Sequence, residues 1–190
     1  DRSLVGEASL SLKEAFGKAL FFSQTNTNCA TCHQLRVNGH KQELFTSFEY
    51  HNIGVPINHA VRDLNGASLD EGLLANPLVE ELTERGKFKV PTLRNVAVTE
   101  PYMHNGLFRD LETVIKFYDQ FHVDSLFPNN PETGVSWQDP EIEETVNREE
   151  LTAGHSLDQD EVEALVCFLR TLTDARYEHR VQSKNIGCED

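Results

Sequence analysis

Cys29 and Cys32 stand three positions apart, and His33 follows directly. Two thiols at that spacing can each form a thioether to one vinyl group of a haem while the next imidazole reaches the iron from one face. The run Cys29-Ala30-Thr31-Cys32-His33 therefore predicts one covalently bound haem c, with His33 as proximal iron ligand. Two other readings fit less well. A redox dithiol expects a strand-to-helix context, whereas Cys29 follows the polar turn 23–28. A zinc site needs a second ligand pair, and neither His51 nor His59 offers paired spacing.

The sixth iron ligand is open on chemistry alone. Met103 is the only methionine, and His104, Tyr118 and several other histidines compete with it. Met103 ranks first, because methionine opposite histidine is the usual arrangement in electron-transfer cytochromes. In the plainer reading Met103 packs beside Tyr102 and Tyr118 is a core tyrosine on the apolar face of a helix.

Three helices are predicted to position these groups. Ser11 to Phe22 reads as a helix with a Ser11/Glu14 capping box and an apolar stripe of Leu12, Phe16, Ala19 and Leu20. Asp110 is placed to cap a second, with Leu111, Val114, Ile115 and Tyr118 at i, i+3, i+4 and i+7. A third begins near Ser156 or Asp158 and buries Val162, Leu165, Val166, Leu169 and Leu172. Between Gln34 and about Leu82 no long helical period survives. Such an irregular stretch in a small domain commonly wraps something, and a haem is a reasonable candidate. Residues 124–154 are acidic, contain Pro128, Pro131 and Pro140, and read as a surface excursion; the carboxylates across 139–163 show no calcium-loop spacing and read as a solvated face. The fold class is mainly α: a single cytochrome c-like haem domain with long ordered loops over 1–190, a core of about 12–174 and a C-terminal tail, 175–190.

A chain of 190 residues with 38% hydrophobic and 25% charged residues is long enough for one folded domain. The formal net charge of −14 and the lack of a basic stripe speak against nucleic acid. No run of about 18 apolar residues occurs, so no membrane span is expected. Haem is attached to such motifs outside the bacterial cytoplasm, so the expected location is the periplasm, with a signal peptide removed and Asp1 a processed N-terminus. Cys167 and Cys188 remain, and both a disulfide and a buried free Cys167 thiol are open.

Leu20-Phe21-Phe22, the haem motif, His51-Asn52-Ile53-Gly54, Gly86-Lys-Phe-Lys-Val-Pro-Thr-Leu-Arg-Asn95 and Pro101-Tyr-Met-His-Asn-Gly106 together resemble the bacterial dihaem cytochrome c peroxidase and MauG family. The resemblance covers about residues 12–173, and its motif order is that of the family's C-terminal domain, which carries the low-spin haem. It implies an electron-transfer domain that passes electrons or oxidising equivalents to a peroxide-reacting haem on a second domain or chain, with a small redox protein as donor or acceptor. The single haem motif departs from the two of the family, which keeps a stand-alone monohaem carrier and a haem subunit of a larger complex as alternatives.

The resemblance also reorders the ligands. Family members take the sixth ligand from the helix after the Pro-Tyr-x-His-x-Gly motif, as methionine in peroxidases and tyrosine in MauG-type members. Tyr118 falls at that place, and Met103 where relatives often carry phenylalanine. Tyr118 then becomes the implied distal ligand, and His104 a group near the haem edge that hydrogen-bonds or relays charge. Arg94 and Lys89 are candidates to pair with haem propionates. The family's calcium between domains would here use the backbone carbonyls of Val90 and Thr92.

Overall fold

The computed structural model describes residues 6, 8–37, 39, 42–66, 69–181 and 187–188. Asp1 and parts of the 175–190 tail (182–186, 189 and 190) lie outside them. Seven α-helices appear among the described residues, α1 (Leu12–Phe21), α2 (Cys29–Cys32), α3 (His59–Asn65), α4 (Leu111–Asp119), α5 (Arg148–Leu151), α6 (Gln159–Arg170) and α7 (Glu178–Val181), with short 3-10 turns between some of them. The fold is mainly helical; among the described residues one sheet pairs β1 (Tyr50–His51) antiparallel with β2 (Phe88–Lys89), Tyr50 opposite Lys89 and His51 opposite Phe88. No helix among the described residues is long and apolar enough to cross a membrane.

Helix α1 starts as its sequence dictates. The Ser11 hydroxyl accepts from the Glu14 amide at 3.2 Å, and the Glu14 carboxylate accepts from the Ser11 amide at 2.8 Å. Its inward face differs from the expected stripe. Gly17, Leu20 and Phe21 are buried, whereas Leu12 (80% exposed), Phe16 (47%) and Ala19 face outward. The cause is Gly17, which packs so closely on α6 that an added Cβ would lie 1.8 Å from the Ala164 carbonyl oxygen. That contact turns the helix by its smallest residue, not by its largest apolar ones. Gly17→Ala is expected to destabilise the protein by about 3 kcal/mol, at the upper end of overpacking costs because the obstacle is backbone; urea unfolding measures it.

Helix α6 opens with an Asp158/Glu161 capping box and buries Val162, Leu165, Val166 and Leu169 as expected, together with Ala164, Cys167 and Phe168. Helix α4 begins after Asp110, but that side chain makes no capping bond. The Glu132 carboxylate instead fixes the chain entering α4, accepting from the amides of Arg109 (2.9 Å) and Asp110 (3.1 Å). At the other end of α4 the buried Asp119 carboxylate accepts from the Leu157 amide (2.6 Å) and the Ser125 hydroxyl (2.5 Å), fixing α4 against the entry to α6. Behind α4, Phe117 packs edge-on to Trp137 and against Phe108.

The acidic stretch contributes to this core. Ile142 and Leu151 are buried, and Glu141, whose side chain is only 4% exposed, pairs with Arg62 at 2.5 Å. At the C-terminal end, Cys167 of α6 and Cys188 form a disulfide. A bridge across 21 positions contributes about 3 kcal/mol through loop closure. The Ser11 hydroxyl also donates to the Cys188 carbonyl at 2.7 Å, which ties this segment to the start of α1.

Candidate functional site

Helices α2, α4 and α6 and the segments 88–93 and 101–104 enclose a mostly apolar cavity of about 470 Å³, within the size range of cofactor pockets. The stripe Leu111, Val114, Ile115 and Tyr118 of α4 all line it, as do Leu165 and Leu169 of α6. Cys29, Cys32 and His33 line it from α2 and the residue that ends it.

The short α2 is held by its flanks. Asn28, in the left-handed region at φ 56°, donates its side-chain amide to the Glu150 carboxylate at 2.5 Å, and the Thr31 hydroxyl donates to the Asn28 side-chain oxygen. Gly154, at φ +101°, lets the chain after α5 approach the 23–28 turn, since a Cβ there would meet the Asn26 carbonyl oxygen at 2.2 Å. Burial pushes both thiols up, Cys32 to about 11 with Glu150 and Glu49 adding to the effect. Thiols kept protonated in this way are poor redox dithiols.

His33 is oriented by main chain. Its Nδ1 lies 3.1 Å from the Phe45 carbonyl oxygen. A carbonyl only accepts, so Nδ1 carries the proton and Nε2 keeps its lone pair for a metal. Burial lowers the imidazole pKa, the Phe45 and Pro91 carbonyls opposing, so the neutral ligand form is favoured. Phe45 itself sits at φ +54°, a strained conformation for a bulky residue. It is held there because the amides of Leu44, Thr46 and Ser47 donate to the carbonyls of Leu35, Gln34 and Cys32.

Tyr118, Met103 and His104 all line the same cavity. The Tyr118 phenol is pushed well above its usual pKa by burial first and by Cys32 and Cys29 after it. His104 stacks on Phe88, ring centroids 3.5 Å apart and planes 9° apart; the burial of that face lowers its pKa against the opposing pull of Asp70 and Glu141. Lys89 lines the cavity and holds its ammonium 4.8 Å from the centre of the Phe48 ring. Arg94 is not among the lining residues: its Nε donates to the Glu43 carbonyl at 2.7 Å. The Val90 carbonyl accepts from the Thr46 hydroxyl at 2.6 Å, and the Thr92 hydroxyl donates to the Leu44 carbonyl. Among the described residues, no group of three or more His, Cys, Asp or Glu side chains is placed to hold a metal ion.

Phe45, Asn28, Arg62 and Glu141 went unmarked in the sequence. Phe45 acts through its carbonyl, which has no signature in residue type. Glu141 was masked by the acidic run around it.

A mostly apolar cavity with two thiols and a lone-pair imidazole on its wall, and a half-buried tyrosine from the helix α4 stripe, fits a haem c; such a site on a mainly helical chain is that of a c-type haem protein. Comparison with known proteins agrees. The chain is 45% identical over 197 aligned residues to the methylamine utilization protein MauG of Paracoccus denitrificans, covering all of this chain and 50% of that protein. It is 31% identical over 133 residues to the cytochrome-c peroxidase IdrP2 of a Pseudomonas species, covering 60% of this chain and 34% of the relative. Among solved structures it is similar to the diheme peroxidase BthA of Burkholderia thailandensis, with a TM-score of 0.72 and 29% identity over 97% of this chain and 47% of that one. No protein-family model matches. The chain belongs to the MauG and dihaem peroxidase family, and it spans about half the length of the relatives that match it from end to end.

Proposed function

We propose that this chain is the c-type haem electron-transfer domain of a MauG-like dihaem oxidoreductase, with a cytochrome c-like build around one haem. The observation that carries this reading is the single Cys29/Cys32/His33 motif on the wall of one cavity that Tyr118 also lines. Cys29 and Cys32 would hold the haem through two thioethers, and His33 Nε2 and Tyr118 would bind its iron. The bound haem supplies one-electron redox chemistry. The chain's own residues do the rest: the apolar stripes of α4 and α6 exclude water, Phe45 orients His33, and His104 on Phe88 is placed to relay charge at the cavity.

The partner is a second haem domain or chain that reacts with peroxide, since the chain spans about half of its dihaem relatives. A small redox protein exchanges electrons with the pair. The Cys167–Cys188 disulfide supports an oxidising compartment, the periplasm.

Counting haem against protein by pyridine haemochrome tests the assignment: one haem per chain is expected, and none overturns it. Rapid stoichiometric oxidation of the one-haem chain by peroxide would contradict the division of labour between two haems.

A further inference from the structure

We infer that Arg94 is a positioning residue for His33, acting through the segment Glu43 to Phe45. The inference rests on the reading of His33 as the proximal iron ligand. Its starting point is the Phe45 carbonyl, 3.1 Å from His33 Nδ1, on a residue whose φ of +54° is unfavourable without support.

Arg94 adds to the support that the backbone bonds of Leu44, Thr46 and Ser47 give. Its Nε donates to the Glu43 carbonyl at 2.7 Å, a second nitrogen lies 3.6 Å from the Glu43 carboxylate, and the guanidinium covers the Phe45 ring at 5.2 Å. Glu43 is held from its other side by Arg36 at 2.6 Å. The Thr92 hydroxyl donates to the Leu44 carbonyl at 2.6 Å and accepts from the Arg94 amide at 3.2 Å. The Arg94 side chain thus touches the residues at both ends of Glu43–Phe45, and Thr92 fixes the residue between.

The physical consequence has a sign. A well-made Nδ1–H···O=C bond fixes the imidazole plane and makes Nε2 a stronger donor, which favours the ferric state. Loosening the Phe45 carbonyl weakens that donor and raises the reduction potential. Arg94→Lys separates this from simple charge, because lysine keeps the positive charge but loses the planar fork that serves the Glu43 carbonyl and covers Phe45. Thr92→Val removes the companion bond without any change of charge.

The experiment uses the full haem-loaded chain and its Arg94→Lys and Thr92→Val variants. Haem content of the wild type comes first: a wild type without covalent haem overturns the proposed function itself. With haem present, both variants are expected to show a raised midpoint potential and altered g-values in the ferric electron paramagnetic resonance spectrum. Thr92 is exposed, so that variant carries the test if Arg94→Lys does not accumulate. Potential and g-values equal to wild type, or a lowered potential, overturn the inference.

Discussion

Tyr118→Phe is expected to raise the haem reduction potential by hundreds of millivolts while leaving covalent haem attachment intact, a shift within the roughly 0.8 V that axial ligation spans. The substitution removes one oxygen and keeps the ring, so the packing of α4 along the cavity survives. The lost group is a hard, anionic donor that favours ferric over ferrous iron. Burial pushes the free phenol well above its ordinary pKa. A phenolate at this depth is costly unless a cation offsets it, and ferric iron is such a cation. Met103 lines the same cavity from the segment 101–104. With Tyr118 as the iron's second protein ligand, Met103→Ala is expected to leave the potential near wild type. Spectroelectrochemical titration of both variants checks the pair, and a Tyr118→Phe potential equal to wild type removes the phenol from the iron.

The chain carrying Cys29→Ser together with Cys32→Ser is expected not to hold its tertiary structure. With both thioethers gone, nothing covalent retains a haem in the cavity of about 470 Å³. At ~24 cal/mol per Å³, a cavity of that size costs about 11 kcal/mol as an upper figure, since water enters an open site. Whole domains are stable by only about 5–15 kcal/mol. The cost is of the same order as the total, so loss of the group is a folding event as well as a loss of chemistry. Near-ultraviolet circular dichroism measures it: the expected result is loss of the aromatic signal, and a cooperative, wild-type-like melt of the variant would contradict the account.

What was legible in the sequence was whatever depends on local chemistry. The capping box of Ser11 and Glu14 marked the start of α1, the one of Asp158 and Glu161 forms where a third helix was expected, and the spacing of Leu111, Val114, Ile115 and Tyr118 put four side chains on one cavity wall. What depends on distant contacts was not. The face of α1 is chosen by Gly17 against Ala164, which no periodicity in α1 reports. Helix α3 is short and mixed in polarity, ending at Gly66 in the left-handed region, and leaves no long apolar period. Glu141 looks like one more solvated carboxylate until Arg62, far away in sequence, closes on it. At the site, the bond from Arg94 Nε to the Glu43 carbonyl is likewise a main-chain contact that residue type does not report.

The most direct test of the central claim is the resonance Raman spectrum of the ferric, haem-loaded chain, excited in a phenolate-to-iron charge-transfer band. Enhanced tyrosinate ring modes are expected, disappearing in Tyr118→Phe and persisting in Met103→Ala. A far-red methionine-to-iron charge-transfer band that is lost in Met103→Ala, with no tyrosinate modes in the wild type, would contradict it.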